Sequence, residues 1–74
     1  MGRRTLRAIA ETMTRAEFAE AIGTDRGFVS DYVSRKKGIS LRTLARAVAN
    51  LGTDRIDLLG TLIDDYPGEF GGSA

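Results

Sequence analysis

Cysteine and histidine are both absent from this sequence of 74 residues. Without cysteine there is no disulfide, no thiolate nucleophile and no cysteine-based zinc site. Without histidine the commonest general base and metal ligand are missing, and a Ser-His-Asp triad is impossible. A chain this short rarely encloses the pocket that carboxylate or lysine catalysis would need. We therefore expect a protein that is not an enzyme and that takes no cofactor, metal or small-molecule ligand.

Long apolar runs are also missing. None approaches the roughly 20 residues that span a bilayer, and the basic start Gly2-Arg3-Arg4 leads into no apolar stretch typical of a secretory signal. We therefore expect a cytoplasmic protein with no membrane partner. The length predicts one domain with a thin core, because a chain of this size buries only about 60% of its unfolded surface.

Charge is distributed unevenly along the chain, although the net charge is only +1. Residues 1–46 contain ten Lys/Arg and five Asp/Glu, whereas residues 47–74 contain one and five. An excess of basic residues over 1–46, followed by an acidic end, is typical of a protein with a surface that binds polyanions. Small proteins often have lopsided charge, so this pattern carries little weight alone.

Apolar residues at helical spacing predict an all-α domain of five short helices over residues 1–66 and no strands. The predicted helices cover about 3–12, 14–23, 25–34, 40–51 and 54–66. Thr14 and Glu17 form a capping box for the second helix, and Thr53 or Asp54 caps the fifth. The Gly-rich residues 67–74 are predicted to be a flexible tail, because Pro67 ends the last helix. Five residues of the fourth helix are predicted to face inward: Leu41, Leu44, Ala45, Val48 and Leu51.

The second and third predicted helices are separated by only three residues. A small Ala19 lets the third helix approach closely, and Gly23 permits a sharp reversal of the chain. The wedge between the two helices is then filled by four side chains: Phe18, Ile22, Val29 and Tyr32. This arrangement leaves one face of the third helix exposed, and such a helix fits the major groove of DNA.

Several short motifs occur together at fixed spacing. They are Met-Thr-Arg-Ala-Glu-Phe-Ala at 13–19, Ile-Gly at 22–23, Val-Ser at 29–30, Ser-Leu-Arg-Thr-Leu at 40–44 and Leu-Gly at 51–52. The combination resembles the helix-turn-helix family of phage Cro and cI repressors and bacterial Xre-type regulators. The resemblance implies a lambda-repressor-like bundle and a repressor that binds an inverted-repeat operator in double-stranded DNA. Arg15 stands where the family usually has Gln, and Arg35 where Gly is frequent.

The outward face of the third helix provides the expected base-reading residues. They are Arg26, Gly27, Phe28, Ser30, Asp31 and Ser34. Arg26 is suited to bidentate contact with guanine, but a solvated side chain is the alternative. Phe28 either touches a thymine methyl or packs against the domain, and packing is slightly favoured. Asp31 either accepts from cytosine or, as we favour, pairs with Arg35 one turn on.

Basic residues flank the third helix on both sides. Four of them are expected to contact phosphates, which fixes position without reading sequence: Arg15, Lys36, Lys37 and Arg42. A solvated basic patch is the alternative. Arg3, Arg4 and Arg7 are candidates for an additional arm or clamp.

The fifth predicted helix is more apolar than so small a core requires. We expect a homodimer interface on it, formed by Ile56, Leu59, Ile63 and Tyr66. The alternative is a helix that only closes the core of the monomer. A second functional hypothesis is an antitoxin or adaptor that uses the same fold mainly to bind another protein.

Overall fold

Five α-helices and one π-helical turn make up the computed structural model, which describes residues 2–71. The elements are α1 (Leu6–Thr12), α2 (Arg15–Ile22), α3 (Arg26–Val33), α4 (Leu41–Leu51), α5 (Leu58–Asp65) and the π-turn (Pro67–Gly71). Helix α2 packs against α3 and α4, while α1 packs against α3 and α5. The prediction of an all-α, lambda-repressor-like bundle is confirmed. Over residues 2–71 no helix combines the length and apolarity needed to cross a membrane.

A side chain caps the first turn of each α-helix. The five caps, each accepting a backbone N–H three residues on, are Thr5, Thr14, Asp25, Ser40 and Asp57. The predicted capping box is present: the Thr14 hydroxyl accepts from the Glu17 amide and the Glu17 carboxylate accepts from the Thr14 amide, both at 3.1 Å. These caps occupy donors that a helix leaves unpaired at its start.

The first and fifth helices begin later than the sequence predicted. Arg4 and Ile56 form a parallel bridge, in which the Arg4 amide donates to the Arg55 carbonyl at 3.1 Å and the Asp57 amide to the Arg4 carbonyl at 2.8 Å. Backbone groups used in this pairing cannot also continue a helix. The prediction that Thr53 or Asp54 caps the fifth helix is therefore wrong, and Asp57 caps it instead.

The core lies where α1 to α4 meet, with one further residue from the segment before α4 and one from the segment before α5. Its buried apolar residues are Leu6, Ala10, Phe18, Ala19, Ile22, Val29, Tyr32, Ile39, Leu44, Ala47 and Ile56. The rings of Phe18 and Tyr32 stack at 6.2 Å between centroids. Two inward predictions for α4 are wrong: Leu41 is 65% exposed and Ala45 is exposed. The inner stripe runs through Leu44, Ala47, Val48 and Leu51 instead, at the i, i+3, i+4, i+7 spacing of one helix face.

Residues 67–71, which follow α5 and belong to the predicted flexible tail, have a defined backbone conformation. The structure has a π-turn over Pro67–Gly71, and the amides of Glu69 and Phe70 also donate to the Tyr66 carbonyl, at 3.1 and 2.9 Å. The structure therefore gives Pro67–Gly71 a regular backbone. Residues 72–74 of the predicted tail lie outside the described residues.

Candidate nucleic-acid interface

The connection between α2 and α3 is a tight turn held from outside by α4. Gly23 ends α2 in the left-handed conformation, with φ of 77°, which glycine adopts without steric cost. A Cβ atom at Gly23 would collide with the Arg46 guanidinium, which lies against the turn. The Asn50 amide donates to the Ala21 carbonyl at 2.6 Å. Two side chains of α4 therefore brace the turn that sets the direction of α3.

Helix α3 has one buried and one outward face, as expected. Val29 and Tyr32 are buried in the core. The predicted base-reading residues fall into two groups: Arg26, Gly27 and Ser34 are exposed, whereas Ser30 and Asp31 are half-buried. The face thus presents short side chains and one long cation, which allows close approach by a ligand surface.

Phe28 is the exception among the predicted base-reading residues. It is half-buried, and its ring lies 6.5 Å from that of Tyr32, at an interplanar angle of 10°. The structure therefore places Phe28 against the domain, in line with the packing alternative.

Asp31 pairs with a different cation from the one predicted. Its carboxylate lies 3.5 Å from Lys37 Nζ, and Arg35 instead donates to Asp64 Oδ1 at 2.8 Å. Arg35 follows the end of α3 with φ of 67°, in the left-handed region. Because the helix has ended, Arg35 does not stack one turn above Asp31. The predicted Asp31–Arg35 pair is wrong for this reason.

The four predicted phosphate-contacting residues are all exposed. Arg15 is the first residue of α2 and Arg42 the second residue of α4, while Lys36 and Lys37 follow α3. Arg15 and Arg26 line one open groove, together with Glu11 and Met13 at the end of α1. The structure therefore places Arg26, the foremost candidate for reading a base, beside Arg15, a candidate for contacting a phosphate.

Comparison of the chain with known protein families agrees with this geometry. The protein family described as helix-turn-helix matches residues 4–58, a span that contains α1 to α4 and the braced turn. The chain belongs to this helix-turn-helix family. Neither a curated protein nor a solved structure matches the chain. Family membership supports a DNA-binding, helix-turn-helix regulator.

In this helix-turn-helix domain, Arg7 lies inside and is not part of the exposed basic surface around α3. Only 7% of it is exposed. Its guanidinium donates to Asp64 Oδ2 at 3.0 Å, to Asp65 Oδ1 at 2.5 Å and to the Tyr32 carbonyl, and lies 4.2 Å from the centre of the Tyr32 ring. The prediction that Arg7 is an outer clamp is wrong, because two carboxylates draw it inward. Arg3 and Arg4 are exposed.

The carboxylates that hold Arg7 were not predicted from the sequence. Asp64 and Asp65 occupy the last turn of α5, where acidic residues oppose the helix dipole. That unfavourable placement was a signal that a cation from elsewhere in the chain compensates them. Thr61 was also overlooked, and its buried hydroxyl accepts from the Leu6 amide at 2.9 Å.

The electrostatic state of this cluster follows from its neighbours. Burial, followed by the hydrogen bond to Asp65, raises the pKa of Tyr32, so the phenol stays neutral. Burial alone would raise the pKa of Asp64, but hydrogen bonds from Arg35 and Arg7 outweigh it and lower the pKa below its usual value. The neutral phenol and the charged Asp64 carboxylate therefore coexist beside the guanidinium at neutral pH.

The predicted dimer residues of the helix-turn-helix domain separate into two kinds. Leu59 is 65% exposed and Ile63 is exposed beside it on α5. Ile56 is buried in the core, because it precedes α5 and pairs with Arg4. Tyr66 is half-buried and donates its hydroxyl to the Ile39 carbonyl at 2.6 Å. Ile56 therefore has almost no surface to offer to the expected interface, whereas the neighbouring Leu58 is exposed.

Proposed function

We propose that the protein is a sequence-specific, double-stranded DNA-binding transcriptional regulator, a repressor of the Cro/cI kind. Helix α3 enters the major groove, and its outward residues Arg26, Gly27, Ser30, Asp31 and Ser34 face the base edges. The observation that carries this proposal is the outward face of α3 with exposed cations on both sides, in a domain of the helix-turn-helix family. We further propose that it acts in the cytoplasm by binding and not by catalysis.

Within this proposal, the residues divide between positioning and reading. Arg15, Lys36, Lys37 and Arg42 bind phosphates on either side of the groove, which fixes the register of α3. Arg26, at the start of α3, donates to guanine O6 and N7, the bidentate contact that suits a guanidinium. Its position beside Arg15 in one groove supports this division.

We also propose that two copies bind together through the exposed apolar patch of α5, which consists of Leu58, Leu59 and Ile63. These side chains are 43–65% exposed in the single chain, and water contact with apolar surface is unfavourable. A two-fold dimer would place two α3 helices about 34 Å apart, one turn of DNA, on an inverted-repeat operator. The same patch would serve an antitoxin or adaptor that binds another protein, so DNA binding itself decides between these functions.

Replacing Arg26 and Lys36 separately tests the division of roles. Arg26→Ala is expected to weaken binding to the selected operator by about 1–3 kcal/mol and to relax base choice at one position in each half-site. Lys36→Ala, the matched loss of one exposed cation, should weaken all sequences alike. Competition binding on a panel of single-base operator variants measures both effects. An unchanged base preference in Arg26→Ala would show that Arg26 reads no base.

A further inference from the structure

A buried polar cluster joins three helices of the domain. It consists of Arg7 from α1, Tyr32 from α3, and Asp64 and Asp65 from α5. The Asp65 side chain has no exposed surface, and it accepts both from Arg7 and, at 2.7 Å, from the Tyr32 hydroxyl. Among residues 2–71 no buried side-chain nitrogen or oxygen lacks a partner. Every buried group of the cluster is therefore satisfied in this one arrangement of the three helices.

The cluster acts on one particular place, the C-terminal end of α3. The Tyr32 carbonyl, in the last turn of that helix, accepts from Arg7 Nη1, and the Tyr32 hydroxyl donates to Asp65. Arg35, just beyond α3, donates to Asp64 at 2.8 Å. Two adjacent carboxylates of α5 thus hold both the last turn of α3 and the residue that follows it.

This arrangement constrains direction more strongly than apolar packing does. Apolar contacts tolerate small rotations of one helix against another, because they have no preferred angle. A charged carboxylate that accepts from two fixed donors loses much more when either donor moves. The opposite end of α3 is set by the turn at Gly23, so the cluster supplies the second fixed point that defines the angle of the helix.

We propose that Tyr32 and Asp65 are positioning residues for DNA recognition, through which α5 sets the angle at which α3 meets the bases. This inference rests on the proposed function. Neither side chain reaches the outer face of α3, so both act through the helix. Phosphate contacts by flexible, exposed cations tolerate a small change of angle, whereas base contacts do not. Loss of the cluster should therefore reduce discrimination between operator and other DNA more than it reduces DNA binding in general.

Tyr32→Phe tests this proposal, because it removes one hydroxyl and keeps the buried ring. The readout is the ratio of affinities for the duplex selected by the wild-type chain and for a shuffled duplex of equal length, well below the melting temperature of each variant. We expect the ratio to fall by up to about tenfold. The hydrogen bond exists with and without DNA, so only its hold on the angle of α3 affects the ratio. The affinity for the shuffled duplex should stay nearly constant.

Thr61→Val is the matched control. It also removes a buried hydroxyl at the α5 interface, but the hydrogen bond of that hydroxyl is to the Leu6 amide of α1 and not to α3. We expect a lower melting temperature in Thr61→Val and an unchanged affinity ratio. A ratio that falls equally in both variants would overturn the proposal, because it would follow stability and not the angle of α3.

Asp64→Asn keeps the test decisive if Tyr32→Phe does not fold. Asp64 is 23% exposed and binds both Arg7 and Arg35, so the variant weakens the cluster without creating a buried gap. We expect its affinity ratio to fall, because the weakened cluster would hold the end of α3 less firmly. If Tyr32→Phe did not fold, an unchanged ratio in Asp64→Asn would overturn the proposal that this cluster sets the angle of α3. If the wild-type chain bound no duplex DNA, the proposed function itself would fail. If Tyr32→Phe and Asp64→Asn both kept the affinity ratio of the wild-type chain, only the positioning roles would be overturned.

Discussion

Raising the salt concentration from about 50 mM to about 200 mM is expected to weaken binding to duplex DNA by about 10³- to 10⁵-fold. Each lysine or arginine that binds a phosphate releases condensed counterions, so the loss grows with the number of phosphates contacted. With four contacts from each of two subunits, log affinity should fall with log salt at a slope of about −7. The net charge of the whole chain is only +1, so this dependence would arise from the local basic surface around α3.

Titration of a labelled duplex by fluorescence anisotropy at several salt concentrations measures this slope. Lys36→Ala provides the internal control, since removal of one phosphate contact should reduce the slope by about 1 for each subunit. An affinity that hardly changes with salt would contradict the assignment of Arg15, Lys36, Lys37 and Arg42 to phosphates. It would also favour the alternative that the domain mainly binds another protein.

Replacing Leu59 by glutamate is expected to separate the two subunits and weaken operator binding by about 10²- to 10⁴-fold, the gain that linked binding sites provide. A charge placed in an apolar interface loses its water without gaining a partner. Because Leu59 is 65% exposed in the single chain, the variant should keep its fold. Sedimentation measures the mass, and circular dichroism checks the helix content.

Leu41→Glu is the matched control for the dimer, because Leu41 is an equally exposed leucine on α4. Its mass in sedimentation should remain that of the wild-type chain. The melting temperature of the wild-type chain should rise with protein concentration, because dimer formation favours the folded state by mass action. A melting temperature independent of concentration, with monomer mass at high micromolar protein, would contradict the dimer and leave DNA binding untouched.

Features that depend on near neighbours in the chain could be predicted from the sequence. The capping box of Thr14 and Glu17 lies within one turn, and Gly23 ends α2 because few other residues adopt its backbone conformation. The buried stripe of Val29 and Tyr32 follows from helical spacing alone. These local rules also placed Arg26 at the exposed start of α3, where the structure has it.

Features that depend on distant parts of the chain could not be predicted in the same way. The start of α5 was decided by the pairing of Arg4 with Ile56, which no pattern near residue 54 indicates. Arg7 turned inward because its carboxylate partners lie 57 and 58 residues further along the chain. Arg35 pairs with Asp64 and not Asp31, because its backbone leaves the helix first. Local charge rules treat all these cations as equivalent, and only the packed fold distinguishes them.

Selection from a pool of random duplex DNA by the wild-type chain tests the central claim most directly, which is that α3 reads sequence in double-stranded DNA. After repeated rounds of binding and amplification, the sequences retained are compared with the starting pool. We predict enrichment of an inverted repeat whose half-sites are centred about one helical turn apart, with a guanine in each half-site at the position that Arg26→Ala relaxes. A retained pool with the same sequence composition as the starting pool would contradict the claim.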